Sequence, residues 1–371
     1  MRDPQAKPGI RMTIANSTAR LSEVSAPRPT TDIRKSAIDP DFWYPVARSK
    51  HLKRGKTLAV AFAGQAIVLV RPKSGEPFAL EDRCAHRQVP LHVGQVSGAG
   101  IKCGYHGWTY DKDGNCTSIP YLDTSTLKPN CVRSYPCREA YGLVFVFPGT
   151  PEKASNVAFP ELPSASDPAY KTRYLDRQVD CHWSFMHENL MDMNHQFLHR
   201  KLMGGVATIF LDGRKGDTWM EADYTFKRRS GKQPLGEKFM LGKRPDAAPE
   251  DRDLMTIRTE YPYQTLQFWT AGSEDPALDL WNVYIPIDKE QRRNHTYGLM
   301  MIRRPSTPGI INLLWPFIVW FTNGIFAEDR WICELEQAAF DNQGEDQNNE
   351  IFPAILDLRE VIVNNSRPLE S

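Results

Sequence analysis

Hydrophobic and polar positions fall into two regimes along the chain. Between Pro40 and Pro148 apolar residues come in short, strand-like runs. Leu58–Val70 is apolar and partly β-branched but is interrupted by Ala63-Gly64-Gln65, which reads as a hairpin. Tyr141–Phe147 reads as a buried strand stopped by Pro148-Gly149. Farther on the periods mix. A short strand is predicted around Tyr174–Val179, and Cys181–His199, with no Gly or Pro, reads as one helix. Alternation returns at Asp223–Phe226, Leu254–Tyr263, Leu266–Trp269, Leu280–Ile287 and Thr296–Ile302, and a helix-compatible stretch begins at Phe326. The expected architecture is a small all-β domain over 40–148, a proline-rich linker over 149–170 and an α+β domain over 171–371. In the second, an antiparallel sheet carries helices on one side. Residues 1–35, rich in Ser, Thr, Pro and Arg, are expected to be disordered.

Composition agrees with two domains. The 371 residues, 41% of them hydrophobic, suffice for two cores. A net charge of +1 gives no reason to expect nucleic acid as a partner, and the basic clusters at 53–54 and 227–229 read as solvated faces. No repeat and no secretory apolar run is visible, so a cytoplasmic location is expected.

Chemistry enters with Cys84-Ala85-His86 and, sixteen residues later, Cys103-Gly104-Tyr105-His106-Gly107-Trp108. Each loop offers one thiolate and one imidazole. A classical zinc finger instead groups its two cysteines in one pair and its two histidines in another. One Cys and one His per loop is what a Rieske [2Fe–2S] cluster requires, with two thiolates on one iron and two imidazoles on the other. Cys84, His86, Cys103 and His106 are therefore the expected cluster ligands. The other cysteines, Cys116, Cys131, Cys137, Cys181 and Cys333, are irregularly spaced and read as buried thiols of a reducing compartment.

The segment Cys181–His199 carries Glu188, Asp192, His195 and His199 at i, i+4, i+7 and i+11. On a regular helix these lie within roughly 60° of one another. His195 and His199 could then chelate one metal, and Asp192 could orient an imidazole or relay an electron or proton. A helix with merely structural histidines is the competing interpretation.

Both motifs together resemble the catalytic subunits of Rieske non-haem iron oxygenases over roughly residues 40–345. Glu188-Asn189-Leu190-Met191-Asp192-Met193-Asn194-His195 is most similar to the branch with chlorophyll-modifying oxygenases and O-demethylases. The resemblance implies a helix-grip, START-like catalytic domain in which a long helix crosses a curved sheet. It also implies Fe(II) held by two histidines and one carboxylate, His195 and His199 supplying the imidazoles. Asp192 would bridge a cluster histidine to an iron histidine across subunits of a homotrimer. The family usually places four residues between its two histidines; here three intervene. Trp108 stands where respiratory Rieske proteins carry a serine that donates to the cluster, which implies fewer hydrogen bonds to sulfur and a lower potential. The carboxylate segment of the family resembles Phe326–Gln337, its aspartate matching Asp329. Spacing alone leaves Glu328 and Glu334 open.

The implied function is the oxygenase component of a multicomponent system. A ferredoxin or NAD(P)H-dependent reductase delivers electrons, and O₂ hydroxylates, demethylates or desaturates an apolar or aromatic substrate. The alternative is a Rieske electron carrier with a ligand-binding domain; the second motif distinguishes them. Tyr261, Tyr263, Phe268, Trp269, Trp281 and Tyr284 could line a pocket, although aromatics in strands more often form core. Residues 305–327 are long enough to span a bilayer, yet Pro308, Pro316 and the nearby Asp329 favour burial, with contact at a membrane surface as the alternative.

Overall fold

The structure, a computed structural model, describes residues 32–120, 122–123, 130–230 and 253–369, with the side chains of 228–230 excepted. Strands dominate up to Val146. Lys56–Phe62 and Gln65–Arg71 form the expected hairpin, Phe62 opposite Gln65. Its two-residue loop places Ala63 at φ 44° and Gly64 at φ 80°, the left-handed pair that a tight hairpin needs. A Cβ on Gly64 would also meet the backbone of Lys289 at 3.0 Å. The hairpin belongs to a four-stranded sheet ordered Ser134–Tyr135, Phe78–Glu81, Gln65–Arg71, Lys56–Phe62. A three-stranded sheet (Cys137–Ala140, Leu143–Val146, Tyr44–Arg48) packs beside it. A second four-stranded sheet (Gln95–Ser97, Gly100–Lys102, Thr109–Tyr110, Cys116–Ser118) carries one Cys-His loop between its two middle strands.

The second half is a seven-stranded antiparallel sheet. Five strands, Trp219–Ser230, Leu254–Glu260, Tyr263–Trp269, Leu278–Pro286 and Asn294–Arg303, follow one another in sequence and in space. Gly205–Lys215, a strand the pattern did not announce, forms one edge, and Tyr170–Val179 returns to the other, pairing with Asn294–Arg303. Helices Trp183–Met191, Ile310–Gln343 and Pro353–Asn365 complete it. Leu280–Pro286 is buried without alternation because both of its faces are covered. On one face Tyr284 meets His187 of the short helix; on the other Trp281 meets Phe145 of the first half.

That second contact is part of one continuous core across the two halves. Tyr263 donates to the carbonyl of Trp43 at 2.8 Å and Tyr297 to that of Val46 at 2.7 Å. Ala63 N donates to Pro286 O at 2.7 Å, seating the hairpin turn on the seven-stranded sheet. Tyr261, Phe268, Trp281 and Tyr284 are thus core rather than exposed lining.

Two expectations are corrected. Of the stretch expected to be disordered, residues 1–31 lie outside the described residues, but residues 32–35 are folded. Ile33 is fully buried, and Ser36–Ala37 pairs with Arg367–Pro368 beside the C-terminal helix. Arg34 is buried against Glu188, bonding its carboxylate and the hydroxyl of Ser184. Arg359 binds the other oxygen of Glu188. Glu188 therefore faces a structural ion network and is not part of a metal-facing stripe. Burial alone would raise its pKa, but Arg34 and Arg359 outweigh that and hold it below its ordinary 4.5.

Removing one member of such a network leaves a buried charge uncompensated, a loss of about 3–5 kcal/mol. Arg34→Ala is expected to lower stability by that order, read from urea unfolding. Because the folded-state pKa of Glu188 is depressed, its contribution is present above pH 4.5 and is lost as the pH falls through the folded value. The variant should therefore lose less stability than wild type on acidification below pH 4.5. Equal acid sensitivity would show that Glu188 is not the group involved.

Candidate metal centres

The first centre is built by two loops that face each other. Cys84 leaves the strand Phe78–Glu81 in a tight turn, Cys84 N donating to Val89 O and Gln88 N to Cys84 O, both at 2.9 Å. Cys103 begins the facing turn, Cys103 N donating to Trp108 O at 2.8 Å and Gly107 N to Cys103 O at 3.2 Å. Gly107 closes it at φ 73°, with Pro120 and Lys102 so near that a Cβ would stand within about 3 Å of both. Both thiols are buried and both imidazoles are exposed. The His86 and His106 rings lie 4.6 Å apart, and His86 stacks on Trp108 at 4.8 Å.

The donor set fits an anionic cluster. Burial and the neighbouring Cys84 push the Cys103 thiol up, opposed by the backbone N–H groups of Tyr105 and His106 that point at its sulfur. Tyr110 Oη lies 3.2 Å from Cys84 Sγ and accepts from Ala85 N at 3.1 Å; toward a deprotonated Cys84, as a cluster requires, the hydroxyl is the donor. This hydroxyl, two residues beyond Trp108, is a sulfur contact that the sequence reading missed.

The second centre departs from its predicted construction. The helix begun at Trp183 ends at Met191 instead of continuing to His199. Asp192 adopts φ −86°, ψ 88°, and its carboxylate accepts from Asn194 N at 2.9 Å and Asn194 Nδ2 at 2.8 Å. Such a local side-chain bond competes with the helical ladder. Met193–Phe197 then winds as a tighter 3₁₀ turn, and His199 precedes a last short turn, Arg200–Met203. The carbonyl of Met191, freed by the break, accepts from Tyr224 Oη at 2.7 Å.

This break aims the imidazoles. His195 Nδ1 is bonded to the carbonyl of Asp192, which leaves Nε2 facing the long helix Ile310–Gln343. His199 Nδ1 is 2.8 Å from Glu328 Oε2, which leaves its Nε2 facing Asp329. Asp329 Oδ1 is 3.1 Å from His199 Nε2 and 3.7 Å from His195 Nε2. The ligand atoms of His195, His199 and Asp329 lie within 4.8 Å of one another. His199 Nε2 and Asp329 Oδ1 are buried and make no hydrogen bond among the described residues. Apart from facing each other they have no partner, and a buried imidazole nitrogen and carboxylate oxygen converging with His195 Nε2 suit a cation held among the three. Burial opposes charge on His199, but Asp329 and Glu328 outweigh it and raise its pKa.

The three candidate carboxylates now separate. Asp329 faces both histidines and Glu328 grips the far nitrogen of His199. Glu334 turns away to Arg330 at 2.7 Å and to the backbone N of Asp180 at 3.2 Å. Asp192 orients His195 through its carbonyl, while its carboxylate is half-buried near the surface.

Comparisons with known proteins agree with this chemistry. Residues 42–136 match the family described as Rieske [2Fe-2S] domain, and residues 179–354 match the vanillate O-demethylase oxygenase C-terminal domain. A 4beta-methylsterol monooxygenase of Methylococcus capsulatus is 30% identical over 341 residues, covering 87% of each chain. The chloroplastic pheophorbide a oxygenase of Oryza sativa subsp. japonica is 32% identical over 54% of this chain and 41% of its own length. In fold, dicamba monooxygenase bound to dicamba aligns with 89% of this chain and 98% of its own at a TM-score of 0.71 and 22% identity. With the Rieske cluster and mononuclear iron that such enzymes use, the chain belongs to the Rieske non-haem iron oxygenases.

Proposed function

We propose that Cys84, His86, Cys103 and His106 hold the [2Fe–2S] cluster, and that His195, His199 and Asp329 hold the mononuclear iron. The convergence of His195, His199 and Asp329, whose ligand atoms lie within 4.8 Å of one another, carries this reading. When bound, the two groups supply single electrons and oxygen activation. The protein's own contribution is positional. Glu328 and the Asp192 carbonyl fix which nitrogen of each imidazole faces the metal, and such outer partners sustain metal affinity. Tyr110 directs its hydroxyl at Cys84. The domain limits 40–148 and 171–371, joined by 149–170, follow from the same assignment.

The substrate class is an apolar, ring-bearing organic molecule, oxidised by hydroxylation, demethylation or desaturation. In support, the relative matched over most of both chains is a methylsterol monooxygenase, and others are named for chlorophyllide a and dicamba. Electrons arrive from a ferredoxin or NAD(P)H-dependent reductase in the cytoplasm. Head-to-tail assembly into a homotrimer would let each cluster serve a neighbour's iron. The exposed imidazoles of His86 and His106 and the half-buried carboxylate of Asp192 support that route, with Asp192 relaying between them. Leu313 and Trp320, 80% and 61% exposed on the long helix, offer a contact to a membrane surface or to another subunit.

The metal assignment is tested on iron content. His195→Ala is expected to fall from about three irons per chain to about two while the reduced cluster keeps its EPR signal. Glu328→Ala should keep the site but weaken iron binding about 10- to 100-fold, measured by chelator competition. Three irons in folded His195→Ala would reject the assignment.

Assembly is tested by mixing. Chains lacking the cluster (Cys84→Ser) and chains lacking the iron (His195→Ala), each inactive alone, should recover part of the activity in mixed trimers verified by mass. Zero recovery there would place electron transfer within one chain and remove the relay role of Asp192.

A further inference from the structure

Away from both metal centres, a cleft of about 480 Å³ opens where the two halves and the long helix meet. Arg48 enters it from the end of the strand Tyr44–Arg48, Arg173 and Arg177 from the edge strand Tyr170–Val179, and Asn323 from the helix that carries Asp329. Three guanidinium groups converge here, and among the described residues none forms an ion pair with a carboxylate. Arg173 is 8% exposed. Its Nη2 donates to Asn323 Oδ1 at 2.5 Å, an acceptor that Arg177 Nη2 also uses. Arg173 Nη1 is buried with no partner, as is Arg48 Nε.

A buried guanidinium with an open donor is a costly arrangement, and a second cation on the same neutral acceptor adds to the cost. Burial, and then the like charge of Arg177, lower the pKa of Arg173 to about 10. The one carboxylate lining the cleft, Asp176, is already engaged by His295 Nε2 at 2.6 Å and lies 3.6 Å from His51 Nδ1. The guanidinium carbon of Arg48 lies over the Tyr174 ring, 4.2 Å from its centroid, and Arg48 Nε has no hydrogen-bond partner. Clustered guanidinium groups with unfilled donors suit an oxyanion, whose oxygens accept from them.

We propose that this cleft binds an oxyanion, a carboxylate or a phosphate, against the guanidinium groups of Arg48, Arg173 and Arg177 that line it. Bound there, the anion joins the cluster-bearing half, the edge of the catalytic sheet and the iron-carrying helix, six residues before Asp329. The site is separate from the metal ligands and does not depend on their assignment.

The experiment uses the full-length holoenzyme at constant ionic strength. Inorganic phosphate and benzoate are titrated in turn by calorimetry and by the thermal unfolding midpoint. Wild type should bind at least one of them saturably, with a rise in the midpoint. Phosphate favoured over benzoate marks a phosphate ligand, and the reverse marks a carboxylate. Arg173→Gln should weaken binding at least tenfold. Arg173→Met should be no less stable than wild type without anion, because an unpaired buried charge has been removed. Arg177→Gln, at a less buried position, serves if neither Arg173 variant folds, and should also weaken binding. Binding that is absent, that never saturates, or that survives unchanged in a folded variant overturns the proposal.

Discussion

The structure hinges on one interruption. Asp192 takes the backbone N–H of Asn194 onto its side chain, and the helix that began at Trp183 cannot pass it. Had the helix continued, Glu188, Asp192, His195 and His199 would share one stripe. The Asp192 carbonyl would bond the amide four residues on, leaving it no role in aiming His195. With the break, that carbonyl accepts from His195 N at 3.2 Å and also holds His195 Nδ1. It also lets Glu188 serve the network of Arg34 and Arg359 one turn earlier, without a like charge beside the metal ligands.

A second constraint acts from the opposite side. Glu328 and Asp329 are adjacent on the long helix, yet they engage the two nitrogens of one imidazole, 2.8 Å from Nδ1 and 3.1 Å from Nε2. Neighbouring positions on a helix diverge by about 100°. Such a pair can therefore bracket a ring that points between them. One carboxylate sets the orientation of His199 and the other faces the proposed metal position. The same helix carries Asn323 toward the arginine cleft, so a single rod links that cleft to the iron side.

Legibility followed the reach of each interaction. The Rieske domain was readable because the two residues of each proposed ligand pair sit two or three residues apart and the turns that hold them are local. The hairpin at Ala63-Gly64 was readable for the same reason. His195, His199 and Asp329 were nameable by residue type and resemblance, but the bend that joins the histidines was not. A helix of 19 residues without Gly or Pro gives no periodic sign of a break made by an aspartate capping its own chain. Spacing alone could not separate Glu328 from Asp329, because the partner that distinguishes them, His199, lies 129 residues from Glu328. Folding of residues 32–35 was hidden in the same way: Arg34 finds its partner in Glu188, and the turn Ile33–Lys35 packs against the C-terminal helix, far along the chain.

The central claim is that this bend leaves Nε2 of both histidines and one oxygen of Asp329 as the metal's protein ligands. An anomalous difference map at the iron edge, from crystals of the anaerobic holoenzyme, tests it most directly. The account predicts one iron peak bounded by His195 Nε2, His199 Nε2 and Asp329, with Glu328 still on His199 Nδ1. A peak bound through Glu328 or a histidine Nδ1, or a fully metallated protein with no peak between these three residues, would contradict it.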